Sequence, residues 1–154
     1  MKTLSKKTGP STGVKLPRGL RNNNPLNIRL GDDWLGLQKL SVDKEFCVFA
    51  TMPYGYRAAF KVLRNYYDLN NCKTLRRIIT RWAPPSENDS DAYLRAVMKK
   101  TGIRDADSVL PNPCFIQNKG LWKDIILAMA EVENGTKNLS PAECEAGMNM
   151  LVFI

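Results

Sequence analysis

The 154-residue sequence contains no histidine. Imidazole is the base of Ser-His-Asp triads and Cys-His peptidase sites, and it is a ligand in most catalytic zinc sites, so those three kinds of site are excluded. The motifs G-x-x-x-x-G-K and G-x-G-x-x-G, typical of nucleotide-binding loops, are absent as well. Two options remain: binding without catalysis, or acid–base chemistry by carboxylates and tyrosine without a metal or other cofactor. Glycoside cleavage is the main hydrolysis that carboxylates perform alone.

Long apolar runs are also missing. No stretch approaches the ~18 apolar residues of a membrane-spanning helix. Residues 1–13 are basic but lack the apolar segment of a secretory signal. We therefore expect synthesis in the cytoplasm without a signal peptide, followed by export through virion packaging, a holin or a secretion machine.

Cysteine is sparse, and its four copies are too far apart in the sequence for a C-x-x-C pair: Cys47, Cys72, Cys114 and Cys144. Four cysteines can form two disulfides. In a chain made in a reducing compartment, however, buried free thiols are the favoured state. An all-cysteine zinc site is disfavoured by the same spacing.

The positive charge is concentrated at one end of the chain. Residues 1–31 hold seven Lys and Arg and no acid, whereas the rest has 16 basic and 15 acidic residues. Glycine and proline interrupt residues 1–17, which predicts a flexible basic arm ahead of one monomeric domain, residues 18–154. Such an arm suits anionic wall polymers, nucleic acid or anionic lipid, or serves only as a solubilising tail, and charge alone does not choose among these roles.

Hydrophobic periodicity predicts a mostly helical α+β domain. Apolar stripes with helical spacing occupy four segments: residues 54–69, 74–83, 90–101 and 120–133. Gly102 and Gly135 are placed to end the last two helices. Two short apolar segments, residues 34–37 and 46–49, predict a small antiparallel β ribbon. The apolar tail, residues 148–154, is expected to pack back on the domain.

The first polar stretch that exceeds the needs of a fold is RNNNPLNIR, residues 21–29. Asparagine side chains combine a donor and an acceptor, which suits sugar hydroxyl and acetamido groups. Asn23, Asn24 and Asn27 are therefore candidate sugar-binding residues. The alternative is that these side chains form Asx turns and bind their own backbone. A second polar turn, around Tyr54, leads into the first long helix.

The third polar stretch, WAPPSENDSDAY, occupies residues 82–93. Two prolines stiffen the approach to Glu87, and a fixed backbone helps an acid to reach a glycosidic oxygen. Asn88, Asp91 and Tyr93 follow within about one helical turn. Burial in a cleft beside Trp82 would suit Glu87 to this role. The alternative is helix capping by this segment, with Glu87 in solvent.

Five ordered motifs resemble a family of phage and prophage proteins: RGLRNNNPLNIR, WLGLQ, F-x-x-F, GYRAAFKVLRNYY and TLRRIITRWAPPSENDSDAYLRAVMKKTGI. They cover about residues 18–103. The family includes the lysin of an enveloped double-stranded-RNA phage. The resemblance implies a lysozyme-like fold related to lytic transglycosylases, and peptidoglycan degradation during entry or lysis. Part of the pattern is also similar to wall glucosaminidases, which implies that Asn23, Asn24 and Asn27 line the site, with Tyr93 near it.

This sequence departs from the family in the position of the catalytic acid. Lysozyme-like enzymes usually carry the catalytic glutamate at the end of a helix that precedes the Asn-rich loop, and this sequence has no acid before Asp32. We therefore rank Glu87 first and Glu45 second as the catalytic carboxylate, with Asp91 or Asp33 behind them. Loss of catalysis is the alternative.

These patterns predict a lysin that cleaves peptidoglycan glycan strands as a muramidase, glucosaminidase or lytic transglycosylase, in the periplasm or cell wall or from a virion. Glu87 would protonate the glycosidic oxygen, and the substrate's acetamido or 6-hydroxyl group would stabilise or capture the cationic centre. The alternatives are a wall-binding virion protein without turnover, a peptide-cleaving lysin and a nucleic-acid-binding phage protein. The candidate catalytic residues are Glu87, Glu45 and Tyr93, and the candidate substrate-binding residues are Asn23, Asn24, Asn27, Asn88, Tyr54 and Asp91.

Overall fold

The computed structural model describes residues 15–154, and most of the predicted arm lies outside that range. The described chain is predominantly helical, which confirms that part of the predicted fold class. Its helices are α1 (Arg18–Arg21), α2 (Met52–Leu69), α3 (Leu75–Trp82), α4 (Ser90–Thr101), a 3-10 turn (Ile116–Asn118), α5 (Lys119–Asn134) and α6 (Pro141–Met148). No helix in the described part of the chain is long and apolar enough to span a membrane.

Helix α2 forms because its apolar residues recur at helical spacing and Pro53 lies in its first turn, where no amide donor is needed. Tyr56, Phe60, Leu63 and Tyr67 are at most 6% exposed, so this stripe faces the core. The sequence predicts an apolar stripe in residues 54–69, and the structure confirms it.

Helices α3, α4 and α5 begin and end where local chemistry dictates. Thr74 Oγ1 accepts a hydrogen bond from the Arg77 amide, and the Asp89 carboxylate accepts one from the Ala92 amide. Gly102 and Gly135 take left-handed conformations with φ of +80° and +63°, which glycine adopts without steric cost. The predicted ends of these helices agree with the structure to within one residue.

Helix α5 supplies the centre of the core. Trp122, Ile125, Ile126 and Met129 are fully buried. Helices α4 and α6 both pack on α5. The Trp122 indole donates to the Pro111 carbonyl oxygen at 2.9 Å, so its polar atom is satisfied inside the core.

Helix α6 was not predicted. Ser140 caps it by accepting from the Glu143 amide, and it packs chiefly on α2. A Cβ at Gly147 would lie 2.7 Å from the Arg57 amide nitrogen and closer still to the Pro53 carbonyl oxygen, so the two backbones touch there. Beyond α6 the tail packs back as predicted, with the Phe153 ring stacked on Phe60 at 5.5 Å.

The predicted β ribbon is present only as isolated contacts. Leu37 and Phe49 form an antiparallel bridge, flanked by the hydrogen bonds Gln38 N to Val48 O (2.8 Å) and Ala50 N to Gly36 O (2.9 Å). Within residues 15–154 these contacts do not extend into continuous strands. Gly36 has a φ of +80°, and this left-handed conformation interrupts the extended chain.

All four cysteines are free thiols in the structure. Cys47, Cys72 and Cys144 are buried, and Cys114 is half-buried. The preference for free thiols agrees with this, although Cys114 lies closer to the surface than predicted.

Candidate functional site

A cavity of about 500 Å³ opens between the Asn-rich loop, the α3–α4 connection and the end of α5. Apolar groups (Leu26, Ile28, Phe46, Trp82) and polar groups (Asn27, Arg29, Glu87, Asn88, Glu133) line it. A concave surface with apolar walls and a few convergent polar groups is typical of a ligand site.

Glu133, which the sequence analysis overlooked, is the most tightly held acid in this cavity. Its Oε2 accepts hydrogen bonds from the Tyr93 hydroxyl at 2.9 Å and from Trp82 Nε1 at 3.0 Å. Its Oε1 accepts one from Asn27 Nδ2 at 3.2 Å. The carboxylate is therefore fixed by groups from α3, α4 and the Asn-rich loop.

The position of Glu133 on α5 explains why it points inward. It follows Met129 by four residues and Ile126 by seven, so it continues the buried stripe of that helix. A carboxylate oxygen accepts up to two hydrogen bonds. Since Oε2 already takes two and Oε1 only one, Oε1 retains a position for a proton or a substrate group.

Tyr93 lies behind Glu133 rather than in the cavity. It is 8% exposed, and its hydroxyl donates to the glutamate. Burial raises the pKa of Tyr93, and the adjacent negative charge of Glu133 raises it further. Tyr93 therefore stays a protonated donor and positions Glu133. The expectation that Tyr93 is itself catalytic is corrected to a positioning role.

Of the three asparagines of the Asn-rich loop predicted to bind sugar, only Asn27 lines the cavity. Asn24 is fully buried, and its side chain bonds to the backbone of Ile28 and Cys47. Asn23 donates to the carbonyl oxygens of Phe49 and Ala50. The sugar-binding assignment is therefore wrong for Asn24, whose side chain no ligand can reach, and Asn23 has its amide group occupied by backbone.

Glu87 and Asn88 lie on the rim of the cavity, as the sequence placed them. Both are exposed, and their amides each donate to the Pro84 carbonyl oxygen at 3.0 Å, which forms a turn. The expected burial of Glu87 beside Trp82 is therefore wrong, because this turn directs the carboxylate to solvent. Glu87 and Glu133 nevertheless line the same cavity.

Glu45 is committed to ion pairs outside this cavity. Its two carboxylate oxygens are each 3.1 Å from a guanidinium nitrogen, one of Arg18 and one of Arg29. Hydrogen bonds from Arg29 and Arg18 lower the pKa of Glu45, so the group is poorly suited to donate a proton. Its candidacy as an acid is not supported by this geometry.

The remaining candidates lie away from the cavity lining. Asp91 is exposed on the first turn of α4. Tyr54 packs so closely on Gly36 that a Cβ there would overlap its ring. Asp33 forms an ion pair with Lys39 at 3.1 Å. Over residues 15–154, no cluster of three or more Cys, Asp or Glu side chains is arranged to hold a metal ion.

Comparison with known proteins finds a relative encoded by a phage. No family model matches the chain. The sequence is 37% identical over 134 residues to Protein P5 of Pseudoalteromonas phage PM2, and the match covers 84% of this chain and 79% of that protein.

Proposed function

The chain belongs to the family of Protein P5 of Pseudoalteromonas phage PM2, and we propose that it is a phage lysin that degrades peptidoglycan by cleaving the glycan strand. The observation that carries the proposal is Glu133, held by three donors in a cavity that also presents a second carboxylate, Glu87. A pair of carboxyl groups flanking one bond is the usual equipment of a glycosidase. The chain would act at the cell wall or in the periplasm, carried there with or by the virion.

The position of Glu133 supports the hypothesis of a lysozyme-like site. The resemblance implies a catalytic glutamate at the end of a helix, next to the Asn-rich loop. Glu133 is the penultimate residue of α5, and Asn27 of that loop donates to it. The proposal takes this pair as the counterpart of the implied arrangement, with the helix following the loop in the chain instead of preceding it. Such a change of order would account for the lack of an acid before the loop in sequence.

In the proposed reaction, Glu133 is the general acid. The proton on Oε1 passes to the glycosidic oxygen, the bond between that oxygen and the anomeric carbon breaks, and the leaving sugar departs as an alcohol. Glu87 or the substrate's own acetamido group stabilises the positive charge on the ring. Capture by water gives hydrolysis, and capture by the sugar's 6-hydroxyl gives transglycosylation. In either case the incoming hydroxyl group loses its proton to the Glu133 carboxylate, which restores the acid.

Other cavity residues would hold the sugars. Asn88 on the rim and Arg29 opposite offer hydrogen-bond donors, and the Phe46 ring supplies an apolar wall. Tyr93 and Trp82 keep the Glu133 carboxylate in one orientation, which general acid catalysis requires.

Replacing Glu133 by Gln tests the proposal. Gln keeps the shape, and the Asn27 side chain, whose Oδ1 has no hydrogen-bond partner among residues 15–154, can turn to accept from it. We expect at least a ~100-fold loss in the rate of peptidoglycan solubilisation, the usual contribution of a general acid. The matched control is Glu131→Gln on the same helix, whose partner Lys100 lies outside the cavity.

Mass spectrometry of the soluble fragments identifies the bond cut and separates hydrolysis from transglycosylation. Glu87→Gln should reduce the rate less than Glu133→Gln, because its carboxylate is not fixed. Full activity of Glu133→Gln would reject this site. Lysis that releases only free peptide ends would reject glycan cleavage.

A second candidate is a wall-binding virion component without turnover. The observation that favours it is that the hydrogen bonds of Glu133 also join α3, α4 and α5, a structural task that requires no catalysis. In that case the unaltered protein binds purified walls without releasing fragments, and Glu133→Gln lowers the melting temperature instead of an activity.

A further inference from the structure

A second cavity, of about 770 Å³, lies between α2 and the loop of residues 32–39. Its polar lining consists of Asp32, Asp33, Trp34, Lys39, Arg57, Lys61 and Asn65. These residues are separate from the described residues that line the Glu133 cavity. The second cavity is therefore an independent feature of the molecule.

One wall of this cavity is a polar row on α2. Arg57, Lys61 and Asn65 are spaced by four residues, so they lie one above another on a single helix face. The opposite stripe of α2 faces the core. The row thus gives the cavity two positive charges and an amide on a rigid support.

Two buried donors in this cavity have no acceptor. Trp34 Nε1 and Arg57 Nε are both covered from solvent, and neither has a hydrogen-bond partner among the described residues. Buried donors are normally paired, because an unpaired one loses its bonds to water without replacement. Two such donors, carried by residues that line one cavity, indicate a place for an acceptor that is not part of the described fold.

The charges define the acceptor. Lys39 and Asp33 neutralise one another at 3.1 Å. Arg57 and Lys61 then face a single further acid, Asp32. Donors and positive charge together select an oxyanion over a neutral sugar, and Asp32 offers a partner for an ammonium group carried by the same ligand.

We propose that this cavity binds the peptide stem of peptidoglycan, with a stem carboxylate at Trp34 and Arg57. The inference rests on the proposed function, since it names the part of the same substrate that this surface would recognise. Leu35 and Lys39 lie at the cavity and are 54% and 68% exposed, respectively. In the proposed complex, movement of such exposed side chains would let the carboxylate reach the two covered donors.

The three tryptophans allow a direct test by nuclear magnetic resonance of ¹⁵N-labelled protein. Each indole N–H reports a different place: Trp34 the second cavity, Trp82 the bond to Glu133, and Trp122 the bond to Pro111 in the core. The probe is a free stem tetrapeptide containing diaminopimelate, which has no glycosidic bond. We expect a saturable shift of the Trp34 signal alone, assigned by its disappearance in Trp34→Phe.

Arg57→Gln should weaken this binding at least about tenfold, the typical effect of losing one charge-assisted hydrogen bond. Arg77→Gln, an exposed arginine on α3, is the matched control and should bind normally. An equal response to inorganic phosphate would overturn the stem assignment, as would a shift confined to Trp82. Absence of any shift would overturn the site.

The same titration is repeated with Glu133→Gln. Loss of lysis with the Trp34 response intact confirms both sites as separate. Stem binding by a protein that never releases wall fragments would reject the proposed cleavage while sustaining this inference.

Discussion

The segment of residues 15–51 and the helical body of residues 52–154 are held together by different forces. In the body, stripes of fully buried apolar side chains from α2, α3 and α5 meet in one core. In the N-terminal segment, regular structure is limited to the four residues of α1 and isolated bridges. Its chain path is fixed by individual side chains that bond to the backbone, chiefly Asn23, Asn24 and Asp43.

Because of this difference, single substitutions should reduce stability by different amounts in the two regions. Apolar burial is shared among many contacts, so trimming one methyl group in the body removes a small part of the total. A buried polar side chain with several backbone partners is different, because its removal leaves each of those partners unpaired. We therefore expect single substitutions to be more harmful in the segment with less regular structure.

Asn24→Ala should show the largest effect. Asn24 is fully buried, and its amide satisfies the Ile28 carbonyl and amide groups and the Cys47 carbonyl group. The substitution leaves the Ile28 amide and the Cys47 carbonyl unpaired, whereas the Ile28 carbonyl keeps its bond to the Cys47 amide. This should lower the free energy of unfolding by about 4 kcal/mol, measured by urea denaturation. Asn70→Ala, at an exposed helix end, is the control and should change little. A loss below about 1 kcal/mol for Asn24→Ala would contradict the comparison.

Asp43→Asn should come next, and its effect should depend on pH. The Arg18 guanidinium donates to both carboxylate oxygens of Asp43, at 2.8 and 2.9 Å. The Asn22 side chain and the amides of Glu45 and Phe46 also donate to Asp43. Burial opposes the charge, but these hydrogen bonds outweigh it and hold the pKa of Asp43 well below its usual range. At pH 7 the substitution should remove about 3 kcal/mol, as expected for breaking a largely buried pair.

The sign of this dependence follows from the lowered pKa. The contribution of Asp43 is fully present above the unfolded pKa of about 3.9 and is lost as the pH falls below that value. Because the folded pKa is lower still, this loss is only partial at pH 3. The difference in the free energy of unfolding between Asp43→Asn and the unaltered protein should therefore be smaller at pH 3 than at pH 7. A constant difference between them would show that the Arg18 pair is not responsible.

Ile79→Val measures the cost in stability of a small substitution in the helical body. Ile79 is fully buried in the body, and the change removes one methylene-sized group. We expect a loss of about 1 kcal/mol. A loss as large as that of Asn24→Ala would mean that the body is no more tolerant than the N-terminal segment.

The same contrast separates what the sequence predicts from what it does not. Helices α2 to α5 were predicted because apolar spacing, capping residues and two glycines all act within a few residues of one another. Helix α6 was missed because its buried residues, Cys144, Gly147 and Met148, are too few and too small to form an evident stripe.

The site was only partly predictable. Glu87, Asn88 and Asn27, which the sequence singles out, line the same cavity in the structure. The inward position of Glu133 could have been predicted, because this acid follows Met129 by four residues and so continues the apolar stripe of α5. The sequence does not predict that Asn24 bonds to the backbone whereas Asn27 lines the cavity. This difference depends on the partners that the distant α5 and the loop after Glu45 place beside each side chain.

The close meeting of α2 and α6 has a consequence for the chain as it leaves the ribosome. Residues 70–140 separate the two helices, and at about 5–20 residues per second they take roughly 4 to 14 seconds to be made. Until then nothing from α6 can cover Tyr56, against which Gly147 packs. The growing polypeptide therefore carries an uncovered apolar surface for many times longer than a helix needs to form, and a chaperone that binds such surfaces would meet it in that interval.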